Sequence, residues 1–340
     1  MARSRKSPVL VAAGVLAVLL MASASPGLAS TGVPPRHRQT EPTPAAVTPS
    51  PSPSPFLSTP AVLFGARAKP RASDPVVTGN HEEDAVLHLE SEIGRKLAID
   101  HQYAHFGDLW PDARMVWDRD NGRLPLLNWA PESPTYTWPQ IAAGQADSII
   151  DARARAAAAY GGPILLAFHH EPENDTRTYG TPADYVAAWK HVVDRFRAAG
   201  ATNVQFVLIL EAMTFQHGTA DQWYPGRSYV DYVGADGYNW FGTKSGAKWR
   251  EVGDIFKAFY AWTVTTGVPG MITETGCLED PNNSQRKAQW FANADAWLHT
   301  HPNIKAFVYF HSDQRWPWWV DTSPQSLQSF TAMGQDSLMQ

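Results

Sequence analysis

A single cysteine, Cys277, stands in 340 residues. One thiol excludes an internal disulfide, and no CxxC pair is available for a thiolate metal site. The HExxH spacing of a helix-borne zinc site is missing. So is the GxSxG elbow that presents a nucleophilic serine. Basic residues form no stripe, which excludes a nucleic-acid-binding face. Formal charge is −5. No glycine-rich phosphate turn follows the first apolar run, where the chain reads "FGARAKP", as an open doubly wound nucleotide fold would require.

Long apolar runs are scarce too. The run from about Val9 to Met21 is short for a membrane span of roughly 20 residues. It follows Arg3, Arg5 and Lys6 and precedes small residues, the three-part pattern of an export signal, with cleavage expected after Ala24 or Ala29. Loss of residues 1–29 would take the charge from −5 to −8. Residues 30–60 ("STGVPPRHRQTEPTPAAVTPSPSPSPFLSTP") are rich in Pro, Ser and Thr and nearly free of large apolar side chains. Such a stretch cannot bury enough surface to fold and reads as an extended linker. The expected organisation is therefore a signal peptide (1–29), a Pro-rich linker (30–60) and one domain (61–340). The mature protein is expected to be secreted, monomeric and free of the membrane.

What is abundant is tryptophan: 14 in the chain, all beyond the linker, the first being Trp110. Aromatic planes suit the apolar faces of sugar rings, and they suit cores equally well.

Eight short apolar runs punctuate the domain, at 61–66, 97–100, 124–129, 163–169, 203–210, 230–238, 270–275 and 304–311. Helical patterns separate most of them. One is "TPADYVAAWKHVVDRFRAAG", with Thr181 as cap, Pro182 in the first turn and Gly200 at the stop. Residues 211–228 lack that periodicity and read as a long loop. Buried strands alternating with helices imply a parallel sheet. Eight such units in this length predict a closed (β/α)8 TIM barrel. The alternative is an open doubly wound sheet.

A barrel carries its active site at the carboxyl ends of its strands. There the chain places His170 and Glu171 after strand four, Glu211 after strand five and Tyr238 and Trp240 after strand six. Glu274 follows on strand seven, Trp129 stands at the end of strand three and Trp316 lies beyond strand eight. Two carboxyls facing each other across a cleft suit retaining glycoside hydrolysis, with one protonated as acid and the other ionised as nucleophile. Trp129, Trp240 and Trp316 are candidate sugar platforms by position, and Glu211 a candidate substrate contact. Asp236 and Arg315 are weaker candidates. His169 is expected to pack in the core, and Cys277 to pack as a small hydrophobe. Glu173 and Asp175 read as solvated loop acids. A metal gathered by "HHE" with His101, His217 or His311 is the competing chemistry; neither metal nor cofactor is expected.

The motifs "HHEPEN", "YVAAWKHVVDRFRAAGATNV", "YVDYVGADGYNW" and "MITETG" resemble glycoside hydrolase family 26, the β-mannanase type, in the large clan of TIM-barrel retaining glycosidases. The resemblance spans about residues 61–335. It implies Glu171 as general acid/base and Glu274 as nucleophile. It also implies that Tyr238 hydrogen-bonds the nucleophile and that His170 positions the sugar and the acid. β-1,4-Mannan is the substrate expected from the family, with mixed-linkage β-glucan or xylan as alternatives. A barrel that only binds glycans is a further reading. The chain departs from the family at one place. Family mannanases commonly continue His-Glu-Met-Asn-Gly with a tryptophan soon after, whereas this chain reads "HEPENDTRTYG".

Overall fold

In the computed structural model, which describes residues 61–131 and 135–340, all eight apolar runs are strands. They are β1 (Leu63–Ala68), β2 (Ile99–His105), β3 (Leu124–Ala130), β4 (Ile164–Phe168), β5 (Val204–Glu211), β6 (Tyr232–Asn239), β7 (Gly270–Cys277) and β8 (Ile304–His311). Each pairs in parallel with the next, and β8 returns to β1, closing the barrel. The signal and linker expectations lie outside the described residues.

Side-chain alternation along a strand sends neighbours to opposite faces. In this barrel one set fills the interior: Ile99, Leu126, Leu165, Val207, Ile209, Tyr232, Met271 and Val308 are buried there together. The other set packs outward against the helices in a second, larger core. The helix Pro182–Ala198 supplies Tyr185, Trp189 and Phe196 to that layer. It starts as the sequence predicts: Thr181 and Asp184 form a reciprocal capping box.

After β5 the chain makes a short helix, Ala212–Gln216, and then two isolated 3₁₀ turns before β6. The long loop expected over 211–228 is thus one helical turn and irregular chain. Among the described residues no helix is long and apolar enough to cross a membrane.

Two irregularities aim side chains into the barrel mouth. The β6–β7 register shifts between Ala235 and Asp236, and the β7–β8 register shifts between Ile272 and Thr275. A bulge resets which residues face inward. It lets Thr273, which touches Asp236, and its neighbour Glu274 both reach the same interior. Gly276 then leaves room for the site. A Cβ there would come within 2.9 Å of the Tyr238 ring and 3.0 Å of the Trp318 ring.

Candidate active site

The strand ends open into a cleft of about 600 Å³ whose lining includes His170, Glu171, Glu211, Tyr238, Trp240 and Glu274. Trp316 and Trp318 close it on the β8 side, and Tyr103 on the β2 side.

Strict alternation would keep His170 and Glu171 from entering one cleft. The backbone resolves this by leaving the strand conformation. β4 ends at Phe168, and His169 and Glu171 take left-handed φ angles of 50° and 47°. Non-glycine residues adopt that region at a cost of about 1–3 kcal/mol when the surroundings hold them there. The holding contacts are the His169 amide donating to the Trp129 carbonyl at 2.9 Å and the Glu171 amide donating to the Ile209 carbonyl at 3.1 Å. The His169 ring turns away and is buried. Its Nδ1 accepts from the Trp138 indole at 3.0 Å, so the proton sits on Nε2, which donates to Asp175 at 2.8 Å. That bond holds Asp175 below the usual carboxylate range. Asp175 is therefore an anchor for the loop 172–180 rather than a free solvated acid.

His170 lines the cleft, and burial, assisted by the neighbouring His169, pushes its imidazole down to about 4. It is neutral near pH 7, a hydrogen-bonding group and not a cation. Glu171 is pushed up to about 8, first by burial and then by repulsion from Glu274, Glu211 and Glu173. Its carboxyl accepts from the Asn174 amide at 3.2 Å.

Glu274 stands in a different environment. Burial raises it as well, but two phenols oppose that shift by donating to it. Tyr103 Oη donates to Oε1, and Tyr238 Oη donates to Oε2 at 2.6 Å. Donors to a carboxylate favour its ionised form. The two glutamates thus sit in different surroundings: phenol donors oppose the upward shift at Glu274, whereas at Glu171 neighbouring acids add to it. Asp236, beside them, is buried and pushed well up by burial and by Glu274 and Glu171, and Thr273 donates to it at 2.6 Å. His101 lies 3.9 Å from Glu274 but is fully buried, and burial holds it neutral.

Trp240 is 41% exposed and its ring meets Tyr238 at 5.2 Å and Trp318 at 5.5 Å. The rings are tilted or edge-on to one another, and this aromatic corner forms an apolar wall of the cleft. Trp129, expected as another platform, is elsewhere. It is fully buried, stacked on Phe106 at 4.3 Å and edge-on to Phe196 of the helix Pro182–Ala198. Alternation on β3 explains the correction: Leu126 faces the barrel interior, so Leu127 and Trp129 face the helices.

Tyr103 lines the cleft and bonds Glu274, and no motif in the sequence points to it. The same alternation identifies it: Ile99 faces inward on β2, so His101 and Tyr103 do too. Of the histidines considered for a metal, His311 is taken by Arg71 at 2.8 Å and by the Val320 amide, and His217 is exposed at the end of the short helix.

A family model described as glycosyl hydrolase family 26 matches residues 146–312, the span that carries β4 to β8 and both glutamates. The chain belongs to glycosyl hydrolase family 26. This family 26 chain is 33% identical over 263 residues to Endoglucanase H of Acetivibrio thermocellus. The match takes in 73% of this chain but only 28% of that protein. Among solved structures, it is similar to a family 26 β-mannanase from Bacteroides ovatus, with a TM-score of 0.58, 15% identity, and coverage of 82% of this chain and 90% of that one. It is likewise similar to a modular endo-β-1,4-mannanase from Cellulomonas fimi, with a TM-score of 0.58, 15% identity, and coverage of 82% and 72%. At that identity the structural likeness speaks for the fold.

Proposed function

We propose that this family 26 chain is a retaining glycoside hydrolase acting on β-linked polysaccharide. The observation that carries the reading is the contrast between two carboxyls in one cleft. Glu274 accepts two phenol donors, and Glu171 is crowded by other acids and kept protonated. In the first step Glu274 attacks the anomeric carbon as the glycosidic C–O bond breaks, and Glu171 gives its proton to the departing oxygen. In the second, Glu171 as base takes a proton from water, water attacks the same carbon, and Glu274 leaves as carboxylate. Neutral His170 hydrogen-bonds the sugar, and the Trp240 corner stacks on a ring face.

For the substrate, a glucan with β-1,4 linkages, such as mixed-linkage β-glucan, stands first. The 33%-identical relative is an endoglucanase, and the loop after Glu171 lacks the family mannanases' Met-Asn-Gly and tryptophan. β-1,4-Mannan is the second reading, supported by the names of the Bacteroides and Cellulomonas enzymes. The proposed setting is outside the cell, after removal of residues 1–29, as a monomer.

Reducing-sugar release from barley β-glucan, carboxymethylcellulose, xylan and glucomannan tests this directly. Release from one of them, abolished by Glu274→Ala, is the expected result. No release from any, together with binding that survives Glu171→Ala, would replace the enzyme by a glycan-binding barrel.

A further inference from the structure

Glu173 is not the solvated loop acid that its neighbourhood suggests. It occupies the place where the family pattern has asparagine, two residues beyond the acid/base, and its side chain turns inward. Oε1 accepts from the Glu211 amide at 2.9 Å and from the Thr214 hydroxyl at 2.6 Å. Oε2 is buried, with no hydrogen-bond partner among the described residues. Its neighbour Asn174 completes the connection, donating from one amide nitrogen to Glu171 at 3.2 Å and to Glu211 at 3.3 Å. The end of β4 and the end of β5 are thus joined by a carboxyl and an amide that stand side by side.

We infer that Glu173 is a positioning residue: it clamps the β4 and β5 ends together beneath Glu171, and its charge helps keep the proton on Glu171. This rests on the proposed role of Glu171 as acid. The groups that face Glu171 are Glu274 from β7, Glu211 from β5, Asp236 from β6 and Glu173 from its own loop. Those facing Glu173 are Glu211, Thr214, Asp236, Glu171 and, from the helix Pro182–Ala198, the Tyr185 phenol. Like charges in a shared, poorly solvated space disfavour one another's ionisation. Burial pushes Glu173 up to about 7, against the two bonds it accepts. Glu171 lies higher, at about 8. Repulsion from Glu173 is among the causes that raise Glu171, so a charge on the first carboxyl disfavours a charge on the second.

Glu173→Gln keeps an acceptor for the Glu211 amide and removes the charge. The alkaline limb of kcat/KM is expected to move to lower pH by roughly half a unit or more, with kcat at pH 6 within about threefold of wild type. Thr214→Val removes a donor that favours ionised Glu173. It leaves Glu173 neutral to higher pH and moves the limb in the same direction by less. The same shift is expected in the carboxyl carbon titration of Glu171, followed by NMR on glutamate-labelled protein without substrate. That arm reads the charge coupling even if no polysaccharide is cleaved, so failure of the proposed function is distinguishable. An unmoved limb and an unmoved Glu171 titration in both variants would overturn the inference. If Glu173→Gln does not fold, the Thr214→Val result alone decides it.

Discussion

Removing one of the two phenols from Glu274 tests how the site separates its carboxyls. Tyr103→Phe deletes the hydroxyl that donates to Oε1 and leaves the ring, which lies 5.6 Å from His170 and 4.8 Å from His101. A hydrogen bond to a charged group contributes about 1.5–3 kcal/mol, which converts to roughly a 10- to 150-fold change in a rate or equilibrium. The bond matters most where Glu274 carries full charge. In the first chemical step that charge is given up to the anomeric carbon; in the second it returns as Glu274 departs. Loss of the donor therefore falls chiefly on release of the glycosyl-enzyme. The expected signature is a fall in kcat of about 10-fold or more with a lowered KM, because the intermediate accumulates. A pre-steady-state burst with an aryl glycoside should become visible. The acid limb of kcat/KM should also move to higher pH. Tyr103 opposes the burial that already raises Glu274, so without it the carboxyl ionises later. Steady-state and stopped-flow kinetics across pH 4–9 read all three. A variant within twofold of wild type in kcat, with an unmoved acid limb, would show that the Tyr103 hydroxyl does not set the state of Glu274.

Other outcomes follow from the same geometry. Glu171 must be protonated to act as acid, so kcat/KM should fall as pH rises through about 8. Glu171→Ala should lose about 10²- to 10⁴-fold on polysaccharide, and far less on substrates whose leaving group needs no proton, with azide restoring turnover. The two tryptophans should part company. Trp129→Ala opens a hole in the outer core and should cost about 3–5 kcal/mol of stability, read as a lowered Tm. Trp240→Ala should leave Tm nearly unchanged and raise KM several-fold, as loss of a stacking face worth about 0.5–1.5 kcal/mol requires.

The barrel was legible because its signal is local and repeated: eight apolar runs, each bounded by a turn or a helix. That Glu171 and Glu274 line one cleft was legible because a barrel opens its cleft at the strand ends. Other features depend on which way a side chain points. Trp129 and Tyr103 both lie near strand ends, and only the register of Leu126 and Ile99 tells that one faces the helices and the other the cleft. Glu274 faces its partner through a bulge in β7, and His170 and Glu171 share a cleft through two left-handed residues. Neither irregularity has a sequence signature; both are imposed by neighbouring strands. Glu173 escaped for a related reason. Its partners, the Glu211 amide and Thr214, lie 38 and 41 positions away, so its burial is a property of the assembled loops.

In the proposed mechanism Glu274 forms the bond to sugar and Glu171 does not. Incubation with an activated 2-deoxy-2-fluoro β-glycoside, whose fluorine slows release of the intermediate, followed by intact mass spectrometry and peptide mapping, tests it most directly. The expected result is a mass gain of one glycosyl unit per chain, carried by the peptide that contains Glu274 and absent in Glu274→Ala. A label on Glu171, or turnover of polysaccharide with inversion and no label at all, would contradict it.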